Sequence, residues 1–302
     1  MQTIRTQTAI QKITNFFLIK IIIGILTVGG SVVFVEFAGR QLLEKAQITG
    51  DLQNVTIGLA QAAIALLSYV LLFRYYEKRR IKELRLRALP ANALLGCLMG
   101  LILQSLIILV LYVAGGYSIA SVNPVSFLIP GFIAAITAGF VAEIMLRGIL
   151  FRLTEEKLGT LVAVLFTAVF FAVIHAGVKG ATVISVLSTS FQAGVLYSAV
   201  YVYTRSLWFP VFLHFAWDFA EPAIYGGINA GITLREALFT SRIEGPQLLT
   251  GGQFGPGNSI QSSIFCLVSG LVFLWLAKRK KKFIKPFWAN IPGNNKHEVI
   301  AR

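Results

Sequence analysis

The chain has 302 residues, 56% of them hydrophobic and only 13% charged, with a mean hydropathy of +0.74. That composition excludes a soluble globular domain and points to a polytopic membrane protein. The formal charge of +14 does not mark a nucleic-acid binder, because Lys and Arg lie between apolar runs and at the C-terminus, where they flank membrane spans. Cys97 and Cys266 sit inside apolar runs without CxxC spacing, so neither a disulfide nor a metal cluster is expected from them.

A helix needs about 20 apolar residues to cross the hydrocarbon. In chain order the predicted spans are Phe16 to Phe37, Val55 to Tyr75, Asn92 to Val113, Phe127 to Leu150, Thr160 to Ala176, Ala181 to Tyr203, Leu207 to Tyr225 and Ile260 to Ala277. The first run continues to full spanning length with no small-residue cleavage site, so it is expected to stay as a transmembrane helix. The runs are long and continuous, whereas a membrane barrel would alternate every other residue, so the predicted fold is all-α, a single transmembrane domain over 1–302 with about eight helices.

Basic residues set the orientation. With both termini cytoplasmic, the inside pieces hold Arg5, Lys12, the group from Arg74 to Arg87, Arg152, Lys157, Arg205 and the tail 278–302. Only Arg40, Lys45, Lys179, Arg235 and Arg242 fall outside. The basic loops and the tail, with its "KRKKKFIKPFW", are expected to touch anionic lipid. The Gly- and Pro-rich stretch Gly226 to Ser259 is expected to be an external loop with turns or a re-entrant piece.

Ionisable groups inside the hydrocarbon cost roughly 2.5 to 3.5 kcal/mol on insertion scales, which makes each a functional candidate. Lys20 and Glu36 lie near the ends of the first span and can snorkel. Glu143 and Arg147 are deeper, and their i, i+4 spacing lets them pair on one helix face, an arrangement that serves architecture as readily as chemistry. His175 and His214 fall within separate apolar spans. A lone buried His is an ordinary core residue, but His214, Asp218 and Glu221 at i, i+4 and i+7 give one face an imidazole and two carboxyl groups. By the helical rise, Glu143, His214 and Asp218 fall roughly 10 to 16 Å below the cytoplasmic face, and His175 roughly 20 to 24 Å.

The segments "AEIMLR" (Ala142 to Arg147), "FAVIH" (Phe171 to His175) and "HFAWD" (His214 to Asp218) resemble, in order, the EExxxR, FxxxH and HxxxN/D motifs of the CPBP family. That family comprises type II CAAX prenyl endopeptidases and related bacteriocin-processing and immunity proteins. The resemblance covers about 127–225 as a catalytic core. It implies an intramembrane endopeptidase of a bacterial plasma membrane, with a cavity open to the cytoplasm and a peptide or prenylated protein as substrate. It also implies that the first Glu of EExxxR and His175 activate a water, that His214 and Asp218 face the scissile carbonyl, and that Glu143 and Arg147 support or position. Phe171 and Glu221 are accessory candidates.

The position of the first motif Glu is Ala142, which can neither accept a proton nor hold a water. Either this is an engineered knockout of an active protease, or it is a natural member that has lost the base or relocated it to Glu143, although adjacent helical residues point about 100° apart. Zinc on His175, His214 and a carboxylate is an open alternative, although HExxH is missing and the residues favour metal-free hydrolysis. A non-catalytic peptide-binding or immunity protein and a small transporter are the competing readings, and no GxSxG supports a serine enzyme.

Overall fold

The computed structural model describes residues 16–178, 180–234 and 236–290. Arg5, Lys12, Lys179, Arg235 and the tail from 291 onward lie outside the described residues. The helical rods are α1 (Phe17–Lys45), α2 (Gly50–Tyr75), α3 (Leu86–Val113), α4 (Val125–Leu158), α5 (Thr160–Ala176), α6 (Val183–Thr204), α7 (Trp208–Phe219, continued by the π-helical turn Ala220–Ile224) and α8 (Ile260–Arg279). Six of them, all but α5 and α7, are long and apolar enough to cross a membrane. The chain is an all-α polytopic membrane protein.

The structure departs from the sequence reading at several points. The first run, expected to stop at Phe37, continues as α1 to Lys45. The fourth run, expected to stop at Leu150, continues as α4 to Leu158, a rod of 34 residues. At 1.5 Å per residue it spans about 51 Å, well beyond a hydrocarbon core of about 30 Å. The stretch after α7 also does more than loop. Its strand β4 (Phe239–Ile243) pairs antiparallel with β1 (Tyr117–Val122), and a hairpin joins β2 (Ile228–Asn229) to β3 (Ile232–Thr233). Ala230 and Gly231 both have positive φ, which a two-residue hairpin turn of this hand requires.

Residues 254–259 then fold back into the bundle and are buried, so this piece is re-entrant. Gly257 N donates to Glu221 Oε1 at 2.7 Å, Gln104 Nε2 donates to Oε2 at 2.9 Å, and Thr189 Oγ1 donates to Asn258 at 2.7 Å. These buried polar groups satisfy one another, except that Gln104 Oε1 has no partner among the described residues. Gly255 makes the turn possible: its φ is +90°, and a Cβ there would meet the Ile228 carbonyl oxygen at 1.5 Å. Gly255→Ala is expected to expel the turn at a cost of about 1–3 kcal/mol. Limited proteolysis of the purified variant should show new cuts between 245 and 258, and a digestion pattern like that of the parent would contradict this account.

At the opposite end, the α2–α3 connection closes on an ion network. Glu77 pairs with Lys20 at 3.4 Å and with Arg152 at 3.0 Å, while Arg79 pairs with Glu83 at 2.6 Å and Arg205 with Glu155 at 2.5 Å. The tail joins this cap: Arg205 donates to the Lys282 carbonyl, and Ile284 N donates to Thr160 Oγ1 at 2.8 Å. Burial pushes the Glu83 carboxyl up, but the Arg79 guanidinium and the Tyr69 hydroxyl outweigh it and hold the group below its ordinary value. A carboxyl depressed in the folded state contributes stability above the unfolded value of about 4.3 and loses it as pH falls through the folded value. Glu83→Gln should therefore lower the unfolding midpoint at pH 7 and leave it nearly unchanged well below pH 4; equal loss at both would sink the assignment.

Candidate active site

The catalytic-motif residues come together because α7 packs most extensively against α3 and α4. Close approach to α4 needs a residue with no side chain one turn before Glu143. Gly139 supplies it, since a Cβ there would lie 2.9 Å from the Val211 carbonyl oxygen and 3.0 Å from the Phe215 nitrogen. His214 lies between those two α7 residues, so its ring reaches α4.

Glu143 is fully buried, and its Oε1 accepts from Arg147 Nη1 at 3.0 Å and lies 2.8 Å from His214 Nδ1. His214 Nε2 is 3.2 Å from Asp218 Oδ2, and Asp218 Oδ1 accepts from Asn229 Nδ2 at 2.8 Å. The result is one chain, Arg147–Glu143–His214–Asp218–Asn229, across α4, α7 and the β2–β3 hairpin. Each imidazole nitrogen needs a hydrogen to bond a carboxylate, or else the carboxyl must carry it. Two hydrogens are thus shared among Glu143, His214 and Asp218.

Exposure falls along this chain. Asp218 is 18% and His214 15% accessible at the side chain, whereas Glu143 and Arg147 are at 0%. The reachable edge of the cluster is therefore the imidazole and Asp218. Arg147 is held between rings, its guanidinium 5.5 Å from the Phe171 centroid and 5.4 Å from that of Tyr197. Its Nε and Nη2, and Glu143 Oε2, have no partner among the described residues.

The π-helical segment Ile144–Phe151 begins immediately after Glu143. π-Helical turns widen the helix and are frequent at functional sites. The same feature occurs at Val35–Gly39, Ser190–Leu196 and Ala220–Ile224, beside the polar residues Glu36, Gln192 and Glu221.

His175 stands apart from the hydrogen-bonded chain. Its Nδ1 is 3.0 Å from the Phe171 carbonyl oxygen, and its ring stacks on Phe171 with centroids 5.8 Å apart. A carbonyl only accepts, so Nδ1 carries the hydrogen and the Nε2 of the neutral ring keeps its lone pair. Phe171 thus touches both Arg147 and His175, linking the first two motifs through its ring. Ala142 lies half-buried on α4, just before Glu143. Glu221 is not part of this chain: its Oε1 accepts from Gly257 N of the re-entrant turn and its Oε2 from Gln104 Nε2 on α3.

The donor set does not fit zinc. Both His214 nitrogens face carboxylates, and no group of three or more His, Cys, Asp or Glu residues among those described could hold a metal ion. Three residues escaped the sequence reading. Asn229 sits in an irregular Gly-rich stretch, where only the following Ala-Gly hinted at a turn. Tyr197, whose ring is 5.2 Å from that of His214, and Gln192, which donates to the Tyr197 hydroxyl at 2.9 Å, sit within an apolar run and read as packing.

Residues 124–220 match the family model described as Type II CAAX prenyl endopeptidase Rce1-like. No curated protein and no solved structure matches the chain. The matched segment contains all three motif segments, from Ala142 to Asp218, on α4, α5 and α7. Residues 124–220 of this integral membrane protein are thus similar to an Rce1-like domain of a protease family, which supports a CPBP assignment.

Proposed function

We propose that this protein is an intramembrane peptide-bond hydrolase of CAAX type that lacks its water-activating carboxylate at Ala142. The observation that carries the reading is the Glu143–His214–Asp218 chain, which joins the first and third motifs by hydrogen bonds. Amide hydrolysis needs donors aimed at the developing oxyanion and a base for the water. His214 supplies the donor. Its 3.2 Å bond to Asp218 is the longest in the chain, so a carbonyl oxygen entering at Nε2 displaces Asp218 most easily. Asp218 then stays in place on Asn229.

Glu143 serves as a positioning residue, because its Oε1 is already neutralised by Arg147 and His214. His175 offers Nε2 to a water, and with alanine at 142 no carboxylate from that position completes the pair. The substrate is a membrane-associated or prenylated protein, cut near its C-terminus. In this reading both termini are cytoplasmic, eight rods cross a bacterial plasma membrane, and the basic loops contact anionic lipid. Ala142 also favours a second reading, a family member that binds peptides without cutting them. Cleavage of a C-terminal peptide library by the purified protein and by Ala142→Glu separates the two. Turnover that rises with glutamate and disappears on adding His214→Ala supports the hydrolase; binding without turnover in every form supports the alternative.

A further inference from the structure

A groove of about 490 Å³ lies between α1, α2 and α4, at the end of the bundle opposite the Glu77–Arg79 ion network. Its size is that of a small-molecule site. One part is apolar, lined by Ile57, Ile133, Ala134, Ala138 and Val141. The other part is polar and is gathered by the π-helical turn Val35–Gly39. There Glu36 pairs with Arg40 Nε and accepts from Gln61 Nε2 at 3.1 Å, while Arg40 Nη1 donates to Asn54 Oδ1 at 3.1 Å.

These bonds neutralise Glu36 and fix the guanidinium, but they leave two charged handles. Arg40 remains 36% exposed at its side chain, with Nη2 unbonded among the described residues. Asp51 lines the same groove and pairs with no cation among the described residues. One anchored cation and one unpaired carboxylate above an apolar slot complement a zwitterion that carries an acyl chain. With Glu36 and Arg40 cancelling, the uncompensated charge is that of Asp51, so a purely anionic headgroup is disfavoured.

We propose that this groove binds a zwitterionic aminophospholipid, with its phosphate on Arg40, its primary ammonium on Asp51 and an acyl chain along Ile57, Ile133 and Ala138. A primary ammonium donates hydrogen bonds to a carboxylate, which a quaternary ammonium cannot do. A phosphoglycerol headgroup brings no cation to Asp51.

The test uses the full chain, purified in detergent and titrated with phosphatidylethanolamine, phosphatidylglycerol and phosphatidylcholine of identical acyl chains, with bound lipid counted by native mass spectrometry. Phosphatidylethanolamine is expected to be retained about fivefold over the other two, the scale of one partly exposed ion pair. Asp51→Asn should erase that preference, and Arg40→Gln should lower retention of all three lipids. Ala134→Phe, at an exposed position on the groove wall, should block retention without touching either charge. Equal retention of the three lipids by the parent, a preference for phosphatidylglycerol, or a phosphatidylethanolamine preference that survives Asp51→Asn each overturns the proposal. Unchanged retention in Ala134→Phe overturns the location.

Discussion

Ala142→Glu is expected to raise the rate of peptide cleavage by a factor of about 10²–10⁴, the range contributed by a positioned general base. The side chain at 142 leaves α4 about 100° around the axis from Glu143, away from the face that meets Arg147 and His214. A carboxylate there is clear of the hydrogen bonds from Arg147 and His214 that occupy Glu143 Oε1, so its lone pairs stay open to a water. The measurement is kcat/KM on a C-terminal peptide, with His175→Ala added as a second step. If the glutamate variant folds and binds peptide but cleaves no faster than the parent, the account of Ala142 as the missing base is wrong.

Arg147→Met is expected to destabilise the protein by about 3–5 kcal/mol, because it strands the fully buried Glu143 carboxylate. The methionine matches the guanidinium stem in volume, so the loss reports the charge and its ring contacts with Phe171 and Tyr197 rather than a cavity. Adding Glu143→Gln to the same chain should recover part of the loss, since a neutral amide tolerates the site better than an unpaired charge. Denaturant unfolding in detergent reads both variants. A single variant that costs less than about 1 kcal/mol would mean that His214 alone satisfies Glu143.

Much of this architecture was legible in the residues. α5 occupies the run from Thr160 to Ala176 that hydropathy marked, and α7 lies within the predicted Leu207 to Tyr225. The i, i+4 spacings of Glu143 with Arg147 and His214 with Asp218 gave two of the contacts directly. The contact between Glu143 and His214 depends on which faces of α4 and α7 meet, and the small residue Gly139, which decides this, carries no hydropathic signal. The π-helical turns were invisible because an extra residue per turn changes the winding of a helix and not the composition of its run. Helical rise put His175 deeper than Glu143, His214 and Asp218, and its hydrogen bond goes to its own helix, with stacking on Phe171 tying it to Arg147. The re-entrant turn could not be chosen over a surface loop because its anchors, Glu221 and Thr189, are distant in sequence.

That turn also couples the fold to the site. Gly255 packs on the Ile228 carbonyl, and the next residue, Asn229, holds Asp218. Loosening residues 254–259 would therefore release Asp218 before it disturbed any helix, so a fault in the Gly-rich stretch would surface first at the His214 imidazole.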